Sequence, residues 1–437
     1  MTNPVLQRLG GYPLAAFQDL KLALADGEEV LHDFSIGDPI EPTPGFIRKA
    51  LVAGIPAVSQ YPTAAGLPIV RQAVAGWIAR RFGVDVDPET NILPTAGSKE
   101  SIFHLPLALV DRDGPRRAVL WGAPGYPVYE RGQLFAGGDS DPVWLTPERG
   151  WRLDLADLDR ARLDRACLAW LNYPHNPTGA TVDLDYYRRC LATARQQGVV
   201  LASDECYADI HPVDVEPPPS LLQAADGDLT GLVVAFSLSK RSGMTGYRCG
   251  ALVGDPDLIA EQRLLRPNIG TASPDFVQHA AAAAWSDDAH ADERRVAFDA
   301  KRAVVLQFLV DEGFTVSGSE ATFYLWFAAR GGEPQVERRL ARKRVRPRRS
   351  RLAAPGLGAR RRRMPRRGHR LAGRHHSWRP ARSPPPLVSH HERPRGPAGD
   401  HRRRVRRRYA RHARGAPSGR RRSGPAGSGG GAHRRAA

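Results

Sequence analysis

Long apolar runs are missing from this chain of 437 residues. No stretch of about 18 apolar residues occurs, which excludes a membrane-spanning helix. The first residues, MTNPVLQRLGGYPLAAF, also lack the charged and then apolar pattern of a signal peptide. The length allows two or three domains, or one large α/β unit, with a core that needs no disulfide or structural metal. The few cysteines have neither CxxC nor metal-ligand spacing, so we expect reduced thiols in a cytoplasmic protein: Cys167, Cys190, Cys206 and Cys249.

Acidic residues are scarce in the last quarter of the chain. Residues 331–437 contain 34 Lys+Arg, of which only one is Lys, against 4 Asp+Glu, a net charge of +30. Residues 1–330 contain 30 Lys+Arg against 42 Asp+Glu, a net charge of −12. The formal charge of +18 therefore averages an acidic segment and a very basic one. The basic segment sustains neither hydrophobic period and contains few apolar residues, so we expect it to be disordered.

Short apolar runs alternate with amphipathic patterns from about residue 90 to residue 255, which predicts a mostly parallel sheet covered by helices on both faces. The predicted strands are Ala118–Trp121, Cys167–Asn172, Val199–Ser203, Leu232–Ser237 and Ala251–Gly254. The predicted helices are Ser98–Val110, Val128–Phe135, Leu184–Gln197 and Pro256–Leu265, preceded by a helix at Gly66–Phe82. After Pro274 we expect two long helices, one through Trp285 and one over residues 293–312, and then a strand at Ala321–Phe327.

Four polar segments follow predicted strands or open a predicted helix, at the sheet edge where ligands bind in such folds. Lys240 ends an apolar strand, a setting that lowers the pKa of an amine and favours imine formation. The other segments are Asp204-Glu-Cys-Tyr207, the turn Asn172-Tyr-Pro-His-Asn-Pro-Thr-Gly179, and Thr95-Ala-Gly-Ser-Lys-Glu100, whose glycine turn opens a helix suited to a phosphate.

Each of these segments has an ordinary explanation when it is taken alone. A lysine near a strand end is usually a solvated side chain, and Asn-Pro-Thr-Gly is a good turn sequence. Asp204 alone is a suitable helix N-cap. Their joint occurrence favours one site that combines a phosphate cradle, an imine-forming lysine, a carboxylate for a pyridinium nitrogen and donors for a phenolate oxygen. Pyridoxal 5′-phosphate requires this combination.

Residues 1–330 closely resemble the class I and II aminotransferases, which are pyridoxal-phosphate enzymes of fold type I. The resemblance is carried by Ile36-Gly-Asp-Pro, Tyr61-Pro-Thr-Ala-Ala-Gly66, Gly97-Ser-Lys-Glu, Pro124-Gly-Tyr-Pro-Val-Tyr129, Asn176-Pro-Thr-Gly, Asp204-Glu-Cys-Tyr, Ser237-Leu-Ser-Lys and Ala321-Thr-Phe-Tyr-Leu-Trp326. Within the family, the motifs are most similar to those of the bacterial N-succinyldiaminopimelate aminotransferases. The resemblance implies an α/β fold with a large domain of mostly parallel sheet and a smaller α/β domain.

The resemblance also implies roles for individual residues. Lys240 would hold the cofactor and then act as the base that moves the substrate Cα proton. Asp204 would pair with the pyridine N–H, while Tyr207 and Asn176 would hydrogen-bond the phenolate oxygen of the ring. Tyr126 would stack on the face of the ring. The cofactor phosphate would be held by Ser98, Lys99, Ser237, Ser239 and Arg248.

Two further residues carry expectations about substrate and assembly. Gly37 would lie in the loop that closes over the substrate. Tyr61 would reach the phosphate of a neighbouring subunit, which implies a homodimer. The implied domains are residues 1–44, the N-terminal segment of the small domain; 45–285, the large cofactor-binding domain; and 286–330, the rest of a truncated small domain. Residues 331–437 form a tail outside the family pattern.

The tail departs from the family where an arginine that clamps the substrate α-carboxylate is expected, and none of its arginines can be aligned with that clamp. It is either a genuine basic extension that binds phosphates or the product of a reading-frame shift in GC-rich DNA. The bias toward Arg, Pro, Gly, Ala and His favours the frame shift. Translating the other two reading frames of the gene past residue 330 distinguishes a genuine extension from a frame shift. With the chain as written, we expect the cofactor site to form and transamination to be weak or absent.

The implied reaction moves an amino group between glutamate and a keto acid, N-succinyl-2-amino-6-ketopimelate, in lysine and diaminopimelate synthesis. The alternatives are an aspartate-type or other amino-acid aminotransferase, or an inactive binding protein or regulator with the aminotransferase fold. A winged-helix domain would mark such a regulator, and the sequence shows none before residue 30. We expect no membrane partner and, despite the basic tail, no nucleic-acid partner.

Overall fold

One seven-stranded sheet organises the chain, in a computed structural model that describes residues 3–9, residue 22 and residues 37–328. Its strands run in the order β1-β7-β6-β5-β4-β2-β3. Neighbours from β6 to β3 pair in parallel, and β7 is antiparallel to both β6 and β1. The strands are β1 (Ile92–Thr95), β2 (Ala118–Ala123), β3 (Asp139–Trp144), β4 (Ala166–Leu171), β5 (Val200–Asp204), β6 (Leu232–Ser237) and β7 (Gly250–Gly254).

Both faces of the sheet are buried, because each central strand sends alternate side chains to opposite sides. In β6, Leu232, Val234 and Phe236 belong to one core cluster, whereas Val233 and Ala235 belong to the other. Helices cover each face, as expected for a mostly parallel sheet. The helices are α1 (Pro4–Arg8), α2 (Gly45–Ala53), α3 (Pro68–Phe82), α4 (Ser98–Leu109), α5 (Val128–Ala136), α6 (Arg160–Arg165), α7 (Leu184–Gln197), α8 (Leu238–Arg241), α9 (Pro256–Ile269), α10 (Asp275–Trp285) and α11 (Ala289–Asp311).

The helix ends follow local sequence signals. α3 begins with Pro68 and ends at Gly83, which adopts a left-handed conformation with φ of 65°. α7 begins after Asp183, whose side chain accepts the backbone N–H of Tyr186. Caps of this kind determine the residue at which a helix begins or ends. They therefore also determine which residues form the connections at the edge of the sheet.

That edge gathers the polar segments found in the sequence. The parallel strands β2, β4, β5 and β6 all end there, and β1 ends there too because β7 is antiparallel to both β1 and β6. Leu171 pairs with Ser203 and Asp204 pairs with Ala235, so the residues that follow these strands are neighbours. One row of partners, Thr95, Gly250 and Ser237, crosses the three strands β1, β7 and β6.

The predicted fold class is confirmed, as are the five predicted strands, but three elements differ. The strands β1 and β3 are absent from the prediction, because both lie at sheet edges and both contain a proline, Pro94 or Pro142. The strand predicted at Ala321–Phe327 is wrong: only an isolated bridge joins Val316 to Phe327. Its backbone N–H groups at Ala321 and Thr322 instead meet loop carbonyls, as in the bond from Ala321 N to the Gly179 oxygen at 2.8 Å, and that of Trp326 meets the Ser319 hydroxyl at 2.9 Å.

The described ranges contain no helix long and apolar enough to cross a membrane. All four cysteines lie in these ranges and are free thiols. The predicted tail, residues 331–437, lies outside the described residues, and the N-terminal segment 1–44 is described only in part. The predicted domain boundaries therefore stay predictions.

Candidate active site

Lys240 lies in α8, a four-residue helix that starts directly after β6. The helix begins at Ser237, whose hydroxyl oxygen accepts the backbone N–H of Ser239 at 3.2 Å. The Lys240 Nζ donates to the carbonyl oxygen of Gly37. Burial lowers the pKa of Lys240, and the positive charge of Arg248 acts in the same direction. A lysine in this setting is more readily neutral than a solvated one and so can serve as a nucleophile or a base.

The residue after the lysine anchors this turn. Arg241 is buried, and its guanidinium lies 5.6 Å from the ring centroid of Trp77 and 5.7 Å from that of Trp285. Its Nε donates to Asp209 Oδ2 at 2.7 Å, and its Nη2 donates to Asp288 Oδ1 at 2.6 Å. Two carboxylates and two indole rings therefore fix the arginine, and through it the short helix that carries Lys240.

Asp204 is the last residue of β5 and is only 3% exposed. Its Oδ2 accepts the Tyr129 hydroxyl at 2.8 Å, and its Oδ1 accepts the backbone N–H of Cys206 at 3.3 Å. Burial raises the pKa of Asp204, and the Tyr129 hydroxyl together with the thiol and backbone N–H of Cys206 partly offsets the rise. No cationic side chain pairs with this carboxyl in the part of the chain that the structure describes. A buried carboxylate in such a position is expected to take a cationic partner from a ligand.

Asn172 joins Asp204 to the neighbouring turn. Its Nδ2 donates to the carbonyl oxygen of Asp204 at 2.8 Å, and its Oδ1 accepts the backbone N–H of Asn176 at 2.9 Å. One buried amide thus holds the end of β5 and the Asn-Pro-Thr-Gly turn together. Two of the predicted site residues, Asp204 and Asn176, are brought side by side in this way.

Tyr207 belongs to an aromatic cluster beside Lys240. Its hydroxyl lies 2.7 Å from the Tyr324 hydroxyl, and its ring centroid lies 5.7 Å from that of Phe323. The Lys240 Nζ in turn lies 5.7 Å from the centroid of the Phe323 ring. Burial raises the pKa of Tyr207 and raises that of Tyr324 to about 12, so both phenols stay protonated at neutral pH. A Cβ added to Gly37 would lie 2.5 Å from the Tyr324 oxygen, which leaves room only for glycine there.

The predicted phosphate residues meet where α4 begins. Gly97 precedes the helix with φ of 80°, and a Cβ there would lie 2.6 Å from Arg248 Nη2. Arg248 Nη2 donates to the Ala96 oxygen at 3.0 Å, which holds the guanidinium over this turn. A Cβ on Gly250, the β7 partner of Ser237, would lie 3.0 Å from Ser98 N. The N–H groups that open α4 and the Arg248 guanidinium could therefore hold an anion at this turn.

A family model described as aminotransferase class I and II matches residues 30–352. The chain belongs to the class I and II aminotransferases. The LL-diaminopimelate aminotransferase of Desulforudis audaxviator is 37% identical over 327 residues, which cover 73% of this chain and 82% of that protein. A probable aminotransferase of Mycobacterium tuberculosis is 36% identical over 329 residues, covering 74% of this chain and 73% of that one.

Solved aminotransferases share the fold. An aminotransferase from Neisseria meningitidis superposes with a TM-score of 0.71 at 32% identity, covering 77% of this chain and 86% of that one. The aminotransferase AspB from Helicobacter pylori has a TM-score of 0.65 at 29% identity, covering 74% of this chain and 83% of that one. The chain is thus a pyridoxal-phosphate-dependent aminotransferase, as its motifs indicated.

The residues of this aminotransferase fit its cofactor. Asp204 is a buried carboxyl group without a cation, which suits the protonated nitrogen of a pyridine ring. Because Gly97 has no Cβ, the Arg248 guanidinium can lie over the turn, next to the N–H groups that open α4. A guanidinium and free N–H groups suit a phosphate. A cleft of about 450 Å³ opens beside that turn. It is lined by Ala96, Lys99, Glu100, Phe103, His104, Val128, Arg131, Phe135 and Arg248.

Two further predicted residues are Tyr126 and Tyr61. The ring of Tyr126 lies 5.9 Å from that of Tyr129 at 83°, and the Tyr129 hydroxyl in turn donates to Asp204. Tyr61 is 94% exposed, and its predicted contact with a neighbouring subunit stays a prediction. Lys99 lines the cleft, where burial and the charges of Arg248 and Arg131 lower its pKa.

The sequence-based set also omits three residues that bond to its members: Tyr129, Asn172 and Tyr324. Each lies inside a motif that the sequence already singled out, so a signal was present. For Asn172, the signal is its position one residue after a strand, beside the end of β5. For Tyr129, the signal is a second tyrosine three residues after Tyr126, in the first turn of α5.

Proposed function

We propose that this aminotransferase moves an amino group between glutamate and N-succinyl-2-amino-6-ketopimelate, a keto-diacid of the lysine and diaminopimelate branch. The observation that carries the reaction is Asp204, a buried carboxyl group without a cation in the described ranges, at the sheet edge that also holds Lys240. The N-succinylated substrate is supported by the sequence motifs, which are most similar to those of the bacterial N-succinyldiaminopimelate aminotransferases. The branch itself is supported by relatives named LL-diaminopimelate aminotransferase.

The same relatives favour a second candidate for the amino compound. LL-Diaminopimelate carries two amino acid ends, and several relatives at 35–37% identity are named for it. Both candidates have a long chain that ends in a distal carboxylate. They differ at the distal amine, which is free in LL-diaminopimelate and succinylated in the first candidate. An aspartate-type substrate is the remaining alternative.

The side chains at the sheet edge would divide the chemistry among them. The bound cofactor supplies an electron sink for the substrate carbon that loses its proton. Lys240, with its pKa lowered by burial, would take the proton from the substrate Cα in one half-reaction and would deliver a proton to the corresponding carbon of the keto acid in the other. The carboxylate of Asp204 would accept the hydrogen bond of the ring N–H. The phenol of Tyr207 and the amide of Asn176 would donate to the ring oxygen.

The turn before α4 would bind the phosphate of the cofactor. The helix N–H groups at Ser98, together with Arg248, offer donors and positive charge to an anion. Ser237, Ser239 and Lys99 would add further donors. Tyr61, exposed in the single chain, would complete this end in a homodimer by reaching the phosphate of a second copy.

The cofactor role of Lys240 is tested by trapping. The purified chain is incubated with pyridoxal phosphate and reduced with borohydride, and its peptides are analysed by mass spectrometry. We expect the cofactor mass on the peptide that contains Lys240 and none on the Lys240→Ala variant. Modification of Lys99 or Lys301 in place of Lys240 would refute the assignment.

The substrate is tested with a panel of amino donors and keto acceptors. Glutamate, LL-diaminopimelate and aspartate are each mixed with the cofactor-loaded protein, and the N-succinylated keto-diacid is added to protein whose cofactor has already taken up the amino group of glutamate. The change in cofactor absorbance is followed in each case. We expect turnover with glutamate and the N-succinylated compound to exceed turnover with aspartate. A preference for LL-diaminopimelate would establish the second candidate. The panel is repeated on protein translated in the alternative frame after residue 330, in which we expect faster turnover.

A further inference from the structure

Tyr129 touches the proposed site without belonging to the predicted set. It lies in the first turn of α5, is 2% exposed, and donates its hydroxyl to Asp204 Oδ2 at 2.8 Å. Its ring is stacked on Trp170 at 5.5 Å and meets Tyr126 edge-on at 5.9 Å. These rings fix the phenol, so its hydroxyl is held toward the carboxyl group of Asp204.

The carboxyl group of Asp204 has few other donors. The backbone N–H of Cys206 reaches Oδ1 only at 3.3 Å, the Cys206 thiol is a weak donor to the same carboxyl group, and Asn172 bonds to the backbone oxygen of Asp204, not to its carboxyl group. The titratable groups that face the pair are Tyr126, Cys206, Tyr207 and Tyr324, none of which is a cation. Burial favours the neutral acid here, and the Tyr129 hydroxyl is the short hydrogen bond that favours the carboxylate.

We propose that Tyr129 is a positioning residue that holds Asp204 ionised and in one rotamer, ready for the protonated ring nitrogen of the cofactor. This inference rests on the proposed role of Asp204. A hydrogen bond to a buried ionised group is among the stronger kinds, and a phenylalanine at 129 would keep the ring contacts and remove only the donor. The protein would then bind its cofactor less well, because a neutral Asp204 attracts the ring nitrogen less.

The test compares Tyr129→Phe with Tyr186→Phe. Tyr186 is an equally buried tyrosine, and its hydroxyl donates to the Leu153 oxygen, within the core cluster on the opposite face of the sheet from Tyr129. The dissociation constant of pyridoxal phosphate is measured by equilibrium dialysis across a range of pH. We expect Tyr129→Phe to weaken binding at neutral pH by about tenfold or more. We also expect its loss of affinity on acidification to begin at a higher pH, because Asp204 then protonates more easily. Tyr186→Phe should leave the dissociation constant and its pH dependence unchanged.

Further variants separate the possible failures. Asp204→Asn with unchanged cofactor affinity would overturn the proposed role of Asp204 itself. Asp204→Asn with weakened binding, beside Tyr129→Phe with normal binding at every pH, would overturn only this inference. If Tyr129→Phe does not fold, the double variant Tyr129→Phe with Asp204→Asn should fold, because a neutral amide no longer needs the donor. Failure of the double variant would assign Tyr129 a purely structural role and overturn the inference.

Discussion

A buried carboxyl group next to Asp204 should make the folded protein less stable as the pH rises. Glu205 is 1% exposed, and its Oε1 accepts the backbone N–H of Leu221 at 2.9 Å. Burial raises the pKa of Glu205 from 4.5 to about 7. The Leu221 N–H, the nearby hydroxyl groups of Ser220 and Ser203, and the charge of Arg81 act against the rise without cancelling it. Glu205 has no part in the proposed chemistry, so its titration can be studied through stability alone.

The sign and size follow from the two pKa values. The folded state has the higher pKa, so it binds the proton more tightly than the unfolded chain does. The contribution to stability is complete below about pH 4.5 and is lost as the pH rises through about 7. Each pH unit between the two values corresponds to about 1.4 kcal/mol, so the full loss is about 3 kcal/mol. Glu205→Gln removes the titration and keeps a side-chain oxygen that can accept the Leu221 N–H.

Urea unfolding of the two proteins at several pH values measures this effect. We expect the free energy of unfolding of Glu205→Gln, minus that of the unaltered chain, to rise by about 3 kcal/mol between about pH 5 and about pH 8. Glu148→Gln is the control, because Glu148 is exposed and its pKa is lowered, so its difference should stay flat over this range. A Glu205 difference that is independent of pH, or that falls as the pH rises, would show the reasoning to be wrong.

Two other substitutions test the framework around the site. Arg241→Ala leaves the partly buried Asp209 with one partner fewer and should lower the free energy of unfolding by about 3 kcal/mol or more, because Arg241 itself is buried, whereas removal of the exposed Arg160 should cost less than about 1 kcal/mol. Equal losses in urea unfolding would contradict this account of Arg241. Gly97→Ala places a Cβ 2.6 Å from Arg248 Nη2 at a φ of 80°, so it should weaken pyridoxal phosphate binding in equilibrium dialysis. Unchanged binding would show that the turn does not hold the phosphate.

The sequence predicts the strand ends well because apolar strands are short, continuous and buried on both sides, as β6 at Leu232–Ser237 is. The sequence does not predict β3, because β3 lies at the edge of the sheet with one neighbouring strand, and such a strand needs few apolar residues. It also fails at Ala321–Phe327, a short apolar run in which the N–H groups of Ala321 and Thr322 bond to loop carbonyls and only an isolated bridge forms. A short apolar run indicates burial, and it does not report whether a neighbouring strand is present.

Within the site, motifs identify residues but not their hydrogen-bond partners. Asp204 is found from its place after an apolar strand, which is a local property of the sequence. The bond from Tyr129 to Asp204 joins residues 75 positions apart, and the bond from Asn172 to Asp204 joins residues 32 apart. Such pairs depend on which strands are neighbours and in what register, and a single sequence does not contain that information. The sequence motifs therefore contain Tyr129 and Asn172, but they do not indicate that these residues bond to Asp204.

The charges of the proposed site are coupled through its burial. Burial raises the pKa of Asp204 and lowers that of Lys240, so in the cofactor-free chain both groups are shifted toward their neutral forms. A ligand with a cationic ring nitrogen reverses the shift at Asp204, because an opposite charge stabilises the carboxylate. It does not need to reverse the shift at Lys240, whose proposed work requires the neutral amine. The same low-polarity edge of the sheet thus makes the charge of Asp204 depend on the donors that face it and on the cofactor, and it prepares Lys240 to react as a neutral amine.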